Sequence, residues 1–247
     1  FLYLTYKFFM MKSASYREEK FDMKRTLVGG SICGLVFTIA INLQQVSLIY
    51  TTAAKASFLT ALYIVFIPVI GLFFGRRPSV KIIICIFLAM VGTYLLSIKG
   101  GLKINRGDLI VILSALIFAI HILLLTKYST NTNAVLVSLV QFAVCGVISL
   151  VGALVLEDIS MDAILKSQAT ILYVGILSSG VGFTIQLMAL KDLEPVVASM
   201  ICSLESVFGA LFGWLILSQE MTEREIFGAI IIFLATIFAQ VPIETYL

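Results

Sequence analysis

The chain has 247 residues, of which 60% are hydrophobic and only 13% are charged, and its mean hydropathy is +1.09. Soluble domains have about 45–50% apolar and about 25% charged residues, so this composition excludes an ordinary soluble domain and indicates a polytopic membrane protein. The net charge of +3 comes without a basic stripe interleaved with aromatic residues, so we expect the lipid bilayer as a partner and no nucleic acid.

The sequence lacks the residue patterns of an enzyme. It has one histidine, and its four cysteines lie singly in separate apolar runs without CxxC spacing. It also has no GxSxG motif and no phosphate-binding loop. We therefore expect no catalytic residue, no metal site, no cofactor and no ATP-driven pump on this chain.

Taken in order, the chain shows one incomplete apolar segment and then eight apolar runs of membrane-spanning length. Residues 1–12 are apolar but too short to cross a bilayer, and they resemble the end of a span whose beginning is missing. Continuous apolar runs favour helices, because the strands of a membrane barrel alternate in polarity. The fold class is therefore an all-α polytopic membrane protein with eight full transmembrane helices, at about 27–45, 52–75, 82–98, 109–127, 134–156, 171–190, 195–217 and 226–241.

The orientation follows from lysine and arginine in the short loops, which favour the cytoplasmic side. The basic loop 12–25 and the basic loop 76–81 both fall on the cytoplasmic side when the spans are counted. The acidic loops 157–168 and 218–225 then fall outside, as expected. The loop 99–106 disagrees, because it falls outside with Lys99, Lys103 and Arg106.

Two stretches of the chain repeat one another. Residues 55–81, KASFLTALYIVFIPVIGLFFGRRPSVK, have the layout of residues 197–225, VASMICSLESVFGALFGWLILSQEMTERE. An odd number of crossings separates the copies, so the sequence predicts two five-helix units of opposite polarity, 1–106 (incomplete at its start) and 107–247. The matched pairs are Leu62 and Leu204, Val65 and Val207, Phe66 and Phe208, Gly71 and Gly213, Gly34 and Gly180, Phe37 and Phe183, Thr38 and Thr184, Ile39 and Ile185, and Thr93 and Thr236.

The repeated LxxVF…G pattern, the segment TTAAKASFLTALYIVFIPV and its counterpart SLESVFGALFGWLILSQE resemble the EamA-type transporters of the drug/metabolite transporter superfamily. This resemblance implies ten helices in two inverted halves, both termini in the cytoplasm, and transport of small metabolites by alternating access, commonly outward. The chain departs from the family in lacking the first helix, which helps to line the central cavity. It also has Ser206 where the second-half motif reads Glu-Pro, which leaves the helix irregularity at that place open.

Two polar stripes are candidates for the walls of a transport pathway. Gly34, Thr38, Asn42 and Gln45 share one face of the first full span. A similar stripe in the matching later span consists of Ser179, Gly182, Gln186 and Ala189. Facing walls of one cavity and close interhelical packing explain these stripes equally well.

Glu205 is the strongest single candidate for a functional residue, because it lies near the middle of a span between apolar neighbours. An ionised carboxylate there costs at least about 2.5 kcal/mol, so it must be paired, hydrated or protonated. We interpret it as a proton-coupling or cation-recognition group, and the alternative is a structural carboxyl bonded to a neighbouring helix.

Three further residues are assigned to the substrate pathway as hypotheses, and a fourth is a candidate gate or kink. Lys55 is a contact for a substrate carboxylate, a partner for Glu205, or a lysine that extends to the lipid headgroups. Tyr63 is the repeat equivalent of Glu205 and either lines the pathway or packs. His121, the single histidine, couples to protons or is a packed, hydrogen-bonded residue. Pro68 removes a helix hydrogen bond and is a candidate gate or kink.

These features predict a secondary active transporter of the cytoplasmic membrane for a small polar metabolite, an amino acid or a drug-like compound. Export is favoured over import, and proton coupling is a hypothesis. One alternative is a membrane scaffold or accessory subunit that does not transport. Another is a nucleotide-sugar or organic-anion transporter of the same superfamily, which would require more cations in the cavity than Lys55. A homodimer is one option for the assembly.

Overall fold

The computed structural model describes residues 22–75, 77–98, 105–129, 131–190, 193–217 and 221–240, and this part of the chain consists of helices joined by turns and short loops, with no strand. The predicted incomplete span at residues 1–12 and most of the basic loop 12–25 lie outside the described residues. The α-helices are α1 Met23–Ser47, α2 Ala53–Thr60, α3 Tyr63–Phe73, α4 Val80–Ser97, α5 Arg106–Ser129, α6 Ala134–Leu156, α7 Met161–Lys166, α8 Gln168–Leu172, α9 Phe183–Ala189, α10 Pro195–Cys202, α11 Leu204–Leu217 and α12 Glu223–Gln240.

Within the described residues, seven helical segments are long and apolar enough to cross a membrane, which confirms the all-α polytopic class. Judged by helix length and apolar composition among the described residues, the predicted number of eight full spans is too high by one. The eighth segment, α12, has 18 residues, but three of them are the charged residues Glu223, Arg224 and Glu225 at its start. Its apolar remainder is therefore shorter than the other spans.

Three predicted spans are interrupted helices, which corrects the expectation of continuous ones. The span predicted at 52–75 is divided into α2 and α3, and the span predicted at 195–217 is divided into α10 and α11. The span predicted at 171–190 consists of α8, a π-helix at Tyr173–Gly182, and α9. The predicted loop 157–168 contains the short helix α7, whose first turn is capped by the Ser160 hydroxyl. Hydrophobic length alone does not reveal such local changes in hydrogen bonding.

The helices belong to two compact units. The first unit comprises residues 1–39 and 123–192, as far as they are described. In it, α1 approaches α6 closely, because a Cβ at Gly30 would lie 2.8 Å from the Val140 Cβ. A Cβ at Gly34 would lie 2.8 Å from the Gln141 carbonyl oxygen. The GxxxG spacing of these glycines therefore serves helix packing, as small residues do between membrane helices.

The second unit comprises residues 40–122 and 193–247, as far as they are described, and it contains both helices broken near their middle. Its tightest contact joins α4 to α12. A Cβ at Gly92 would lie 2.7 Å from the Gly228 carbonyl oxygen, and a Cβ at Gly228 would lie 2.6 Å from the Gly92 carbonyl oxygen. Only glycine fits at both positions, since no larger residue tolerates such backbone approach. The same unit has a hydrophobic core that includes Ile64, Cys85, Ala89, Met200 and Ala235.

Candidate functional site

The breaks at Ala61 and Ser203 occupy equivalent positions of the sequence repeat, 142 residues apart in the pairing of Leu62 with Leu204. At the first break the Ala61 N–H donates to the Ser57 carbonyl (3.1 Å), and the Ile64 N–H donates to the Ala61 carbonyl (3.0 Å). Bonds from residue i to residue i−3 tighten a helix turn, and such turns inside a helix often mark hinges. The span therefore changes its winding just before Tyr63.

The second break has the same bonds at the equivalent positions. The Ser203 N–H donates to the carbonyl of Ser199 (3.1 Å) and also to that of Met200 (3.2 Å), and the Ser206 N–H donates to the Ser203 carbonyl (3.2 Å). The irregularity that Ser206 left open in the sequence is therefore present, although no proline occurs there. Two stretches with few identical residues thus share one backbone feature.

Serine hydroxyls explain why the second break forms without proline. Ser199 Oγ donates to the Val196 carbonyl (2.6 Å), Ser203 Oγ to the Met200 carbonyl (2.6 Å) and Ser206 Oγ to the Ser203 carbonyl (2.8 Å). Each hydroxyl bonds to the backbone three residues earlier and so competes with the regular helix bonds. The spacing of the three serines in the sequence is a signal of this break that hydropathy does not register.

Tyr63 and Glu205 are the second residues after the two breaks. The Tyr63 hydroxyl donates to the Ser199 carbonyl at 3.4 Å, which links α3 to α10. The Glu205 side chain is exposed on a membrane-spanning segment and forms no hydrogen bond or ion pair with the described part of the chain. Each of these two predicted pathway residues therefore lies just after a helix break, and Tyr63 contacts the helix before the second break.

Lys55, by contrast, is held in a polar network at the start of α2. Its Nζ donates to Asp108 Oδ2 in an ion pair, in which the Asp108 side chain is 1% and the Lys55 side chain 17% exposed. The same carboxylate accepts from Thr51 Oγ1 (2.7 Å) and from the Asn105 N–H (2.7 Å). The partner of Lys55 is therefore Asp108 and not Glu205. This network fixes the start of α2 to the start of α5.

Asp108 is a residue that sequence reasoning missed. It lies between the predicted loop 99–106 and the predicted span that begins at residue 109, and it was assigned to neither. Asn105 and Asp108 form a reciprocal cap of α5, in which the Asp108 N–H donates to Asn105 Oδ1 at 2.9 Å. The spacing Asn-x-x-Asp before an apolar run was the signal that could have identified it.

The remaining pathway candidates are distributed over both units. In the first unit Thr38 is buried and donates to the Gly34 carbonyl (2.7 Å), and Gln186 is half-buried. In the second unit Asn42 and Gln45 are exposed, and His121 is buried. No group of side chains suited to a metal ion occurs among the described residues.

The first unit also holds three phenylalanines in mutual edge-to-face contact. The ring centroids of Phe37 and Phe142 are 5.7 Å apart, those of Phe37 and Phe183 5.4 Å, and those of Phe142 and Phe183 5.5 Å. Phe37 and Phe183 are equivalent in the sequence repeat. Edge-to-face geometry is favourable for aromatic rings at these distances, so this cluster joins α1, α6 and α9.

The comparison with family models decides the identity of the chain. The model of the EamA-like transporter family matches residues 105–240, more than half of the chain. The chain belongs to the EamA-like transporter family. An uncharacterized transporter of Archaeoglobus fulgidus is 28% identical over 214 residues, which cover 85% of this chain and 68% of the relative. An uncharacterized transporter of Clostridium kluyveri is 26% identical over 218 residues, covering 84% of this chain and 70% of the relative.

A solved crystal structure has the same fold as this EamA-family chain, with a TM-score of 0.68 at 14% sequence identity. The similarity covers 97% of this chain and 92% of the other chain. Together with the seven spans, these findings confirm a multi-pass integral membrane transporter of the drug/metabolite transporter superfamily, as the resemblance implied, and not an enzyme. The cytoplasmic membrane is the location that the family and the spans indicate.

Proposed function

We propose that this EamA-family transporter is a secondary active transporter that moves a small polar metabolite, an amino acid or a drug-like compound, outward by alternating access. We further propose that the transport is coupled to protons through Glu205. The observation that carries this proposal is the exposed Glu205 carboxylate on a membrane-spanning segment, two residues after a helix break.

The chemistry of Glu205 supports this role. A carboxylate in a membrane-spanning segment is costly when ionised, and the described residues offer it no cationic partner. It is therefore ready to take up a proton or a substrate ammonium group as its counter-charge. Release of that counter-charge to the other side of the membrane would complete a transport step. His121 stays a second hypothesis for proton coupling, since it is buried and has interactions of its own.

Amino-acid counterflow in proteoliposomes tests the proposal. The chain is reconstituted with a mixture of amino acids inside, and exchange is measured with and without a pH gradient. We expect exchange that the gradient accelerates, and we expect Glu205→Gln to abolish this acceleration. Glu194→Gln is the matched control, because Glu194 is an exposed acid at the start of α10 without a side-chain capping bond. Undiminished, pH-dependent transport by Glu205→Gln would exclude Glu205 as the coupling group.

An organic-anion or nucleotide-sugar substrate has less support. Such a substrate requires cationic side chains in the pathway, and the sequence offers Lys55 as the clear candidate. In the structure the charge of Lys55 is offset by Asp108, which also accepts two further hydrogen bonds. A nucleotide-sugar counterflow that exceeds amino-acid counterflow would reverse this ranking.

One observation favours the second candidate function, an accessory subunit or scaffold. In the span Gln168–Met188 only 6% of the residues in its most apolar window are buried, whereas 28–44% are buried in the other six spans. A helix so exposed is available to a further helix or a second copy, and a homodimer stays a prediction. No counterflow of any substrate in a broad panel, together with a stable complex between this chain and another membrane protein or a second copy in membrane extracts, would support this second function.

A further inference from the structure

The break at Ser203 is surrounded by hydroxyl groups in a way that the break at Ala61 is not. Bending at Ser203 would first release the hydrogen bond from the Ser203 N–H to the Ser199 carbonyl. Ser199 and Met200 are both fully buried, so a carbonyl released there would lack water. A buried unsatisfied carbonyl is costly, and a helix break in such surroundings is mobile only if other donors are within reach.

Such donors are present for both carbonyls. The Tyr63 hydroxyl on α3 lies 3.4 Å from the Ser199 carbonyl oxygen, and the Thr236 hydroxyl on α12 lies 3.4 Å from the Met200 carbonyl oxygen. Both distances are at the long end of the hydrogen-bond range, so the two bonds are only partly formed in this conformation. Thr236 Oγ1 also lies 2.8 Å from the Ile232 carbonyl, and its single proton serves one acceptor at a time.

We propose that the break at Ser203 is the moving hinge of this transporter, and that Tyr63 and Thr236 are positioning residues that supply hydrogen bonds to the Ser199 and Met200 carbonyls when α10 and α11 bend. In the bent state the Tyr63 hydroxyl bonds fully to the Ser199 carbonyl, and the Thr236 hydroxyl turns from Ile232 to Met200. Because Glu205 is the second residue after the hinge, the bend also changes the surroundings of its carboxylate.

The break at Ala61 lacks these features and serves as the internal control. Among the described residues no side-chain hydroxyl donates to the carbonyls of Ser57 or Leu59, which accept the N–H groups of its tightened turn. The helix before it is also anchored, since Gln44 Nε2 donates to Thr60 Oγ1 at 2.8 Å and Lys55 pairs with Asp108. The first break is therefore static, although its backbone bonds resemble those of the second.

Distance measurements by pulsed electron paramagnetic resonance test the hinge directly. In a variant without the four native cysteines, one spin-label pair at Glu194 and Leu215 spans the second break, and a pair at Ala54 and Phe73 spans the first. All four positions are exposed. In lipid nanodiscs we expect two populated distances for the pair 194–215 and one narrow distance for the pair 54–73.

Single substitutions then test the positioning residues. Loss of one buried hydrogen bond from the bent state corresponds to about a five- to tenfold loss of the bent population, so we expect this loss for Tyr63→Phe and for Thr236→Val. Thr93→Val is the matched control, because Thr93 is the repeat equivalent of Thr236 and donates only to the Ala89 carbonyl of its own helix (2.8 Å). It should leave the bent population unchanged.

Two outcomes would overturn the hinge: a single narrow distance for the pair 194–215, or populations that respond to Thr93→Val as strongly as to Thr236→Val. The measurement requires no substrate and no pH gradient. The hinge and the proposed proton-coupled transport of amino acids can therefore fail separately, because absent counterflow with two populated distances would contradict the substrate or the coupling only.

Discussion

The breaks at Ala61 and Ser203 share their backbone hydrogen bonds but differ in their surroundings. The helix that leads into the first is tied to α1 and α5 by side chains, whereas the second is lined by hydroxyl groups that can exchange acceptors. Equivalent backbone hydrogen bonds therefore do not decide whether a helix break moves. The side chains that anchor the helix and the hydrogen-bond donors near the break decide this, and both differ between Ala61 and Ser203.

The largest effect should come from removing the anchor of the first break. Asp108→Ala leaves the partly exposed Lys55 cation without its partner and removes hydrogen bonds to a charged group, whose loss costs about 1.5–3 kcal/mol. We expect a lower midpoint of thermal unfolding in detergent and a broader distance distribution for the pair 54–73. Asp162→Ala, on the exposed helix α7, is the control and should change stability by no more than about 0.5 kcal/mol. A stability loss below about 1 kcal/mol for Asp108→Ala would contradict the anchor.

A middle-sized effect should follow from removing the serines of the second break. Replacing Ser199, Ser203 and Ser206 together by alanine removes three hydroxyls that compete for helix carbonyls. We expect one continuous helix, a single and longer distance for the pair 194–215, and counterflow reduced about tenfold, which corresponds to about 1.4 kcal/mol. Ser57→Ala at the equivalent of Ser199 is exposed and should leave counterflow unchanged. Retained bending in the triple variant would show that the serines do not cause the break.

The smallest effect is expected for Pro68, the gate candidate of the sequence. The helix α3 continues from Tyr63 to Phe73 through Pro68, and the break lies before it at Ala61. Pro68→Ala should therefore leave the distance of the pair 54–73 within its original width and change counterflow less than twofold. A single, longer distance for this pair after the substitution would assign the first break to proline after all.

The sequence predicted the spans well because membrane helices must be apolar over the thickness of the bilayer, whatever their neighbours. It also predicted which positions of the two copies correspond, and the paired breaks and the hydrogen bonds of Thr38 and Thr184 agree with that pairing. The breaks themselves were not predicted, because one or two hydrogen bonds decide them and hydropathy does not register these. Glu205 was one of the partners considered for Lys55, but the partner in the structure is Asp108, a residue that the predicted span boundaries left just outside a helix.

The close approach of Gly92 and Gly228 has a mechanical consequence for all of these movements. Because the two backbones are in contact at these glycines, α4 and α12 cannot slide or rotate past one another. They therefore move as one rigid unit. Thr236 lies on α12, so its hydroxyl stays in place while α10 and α11 bend. The contact between Gly92 and Gly228 thus gives the proposed hinge at Ser203 a fixed support.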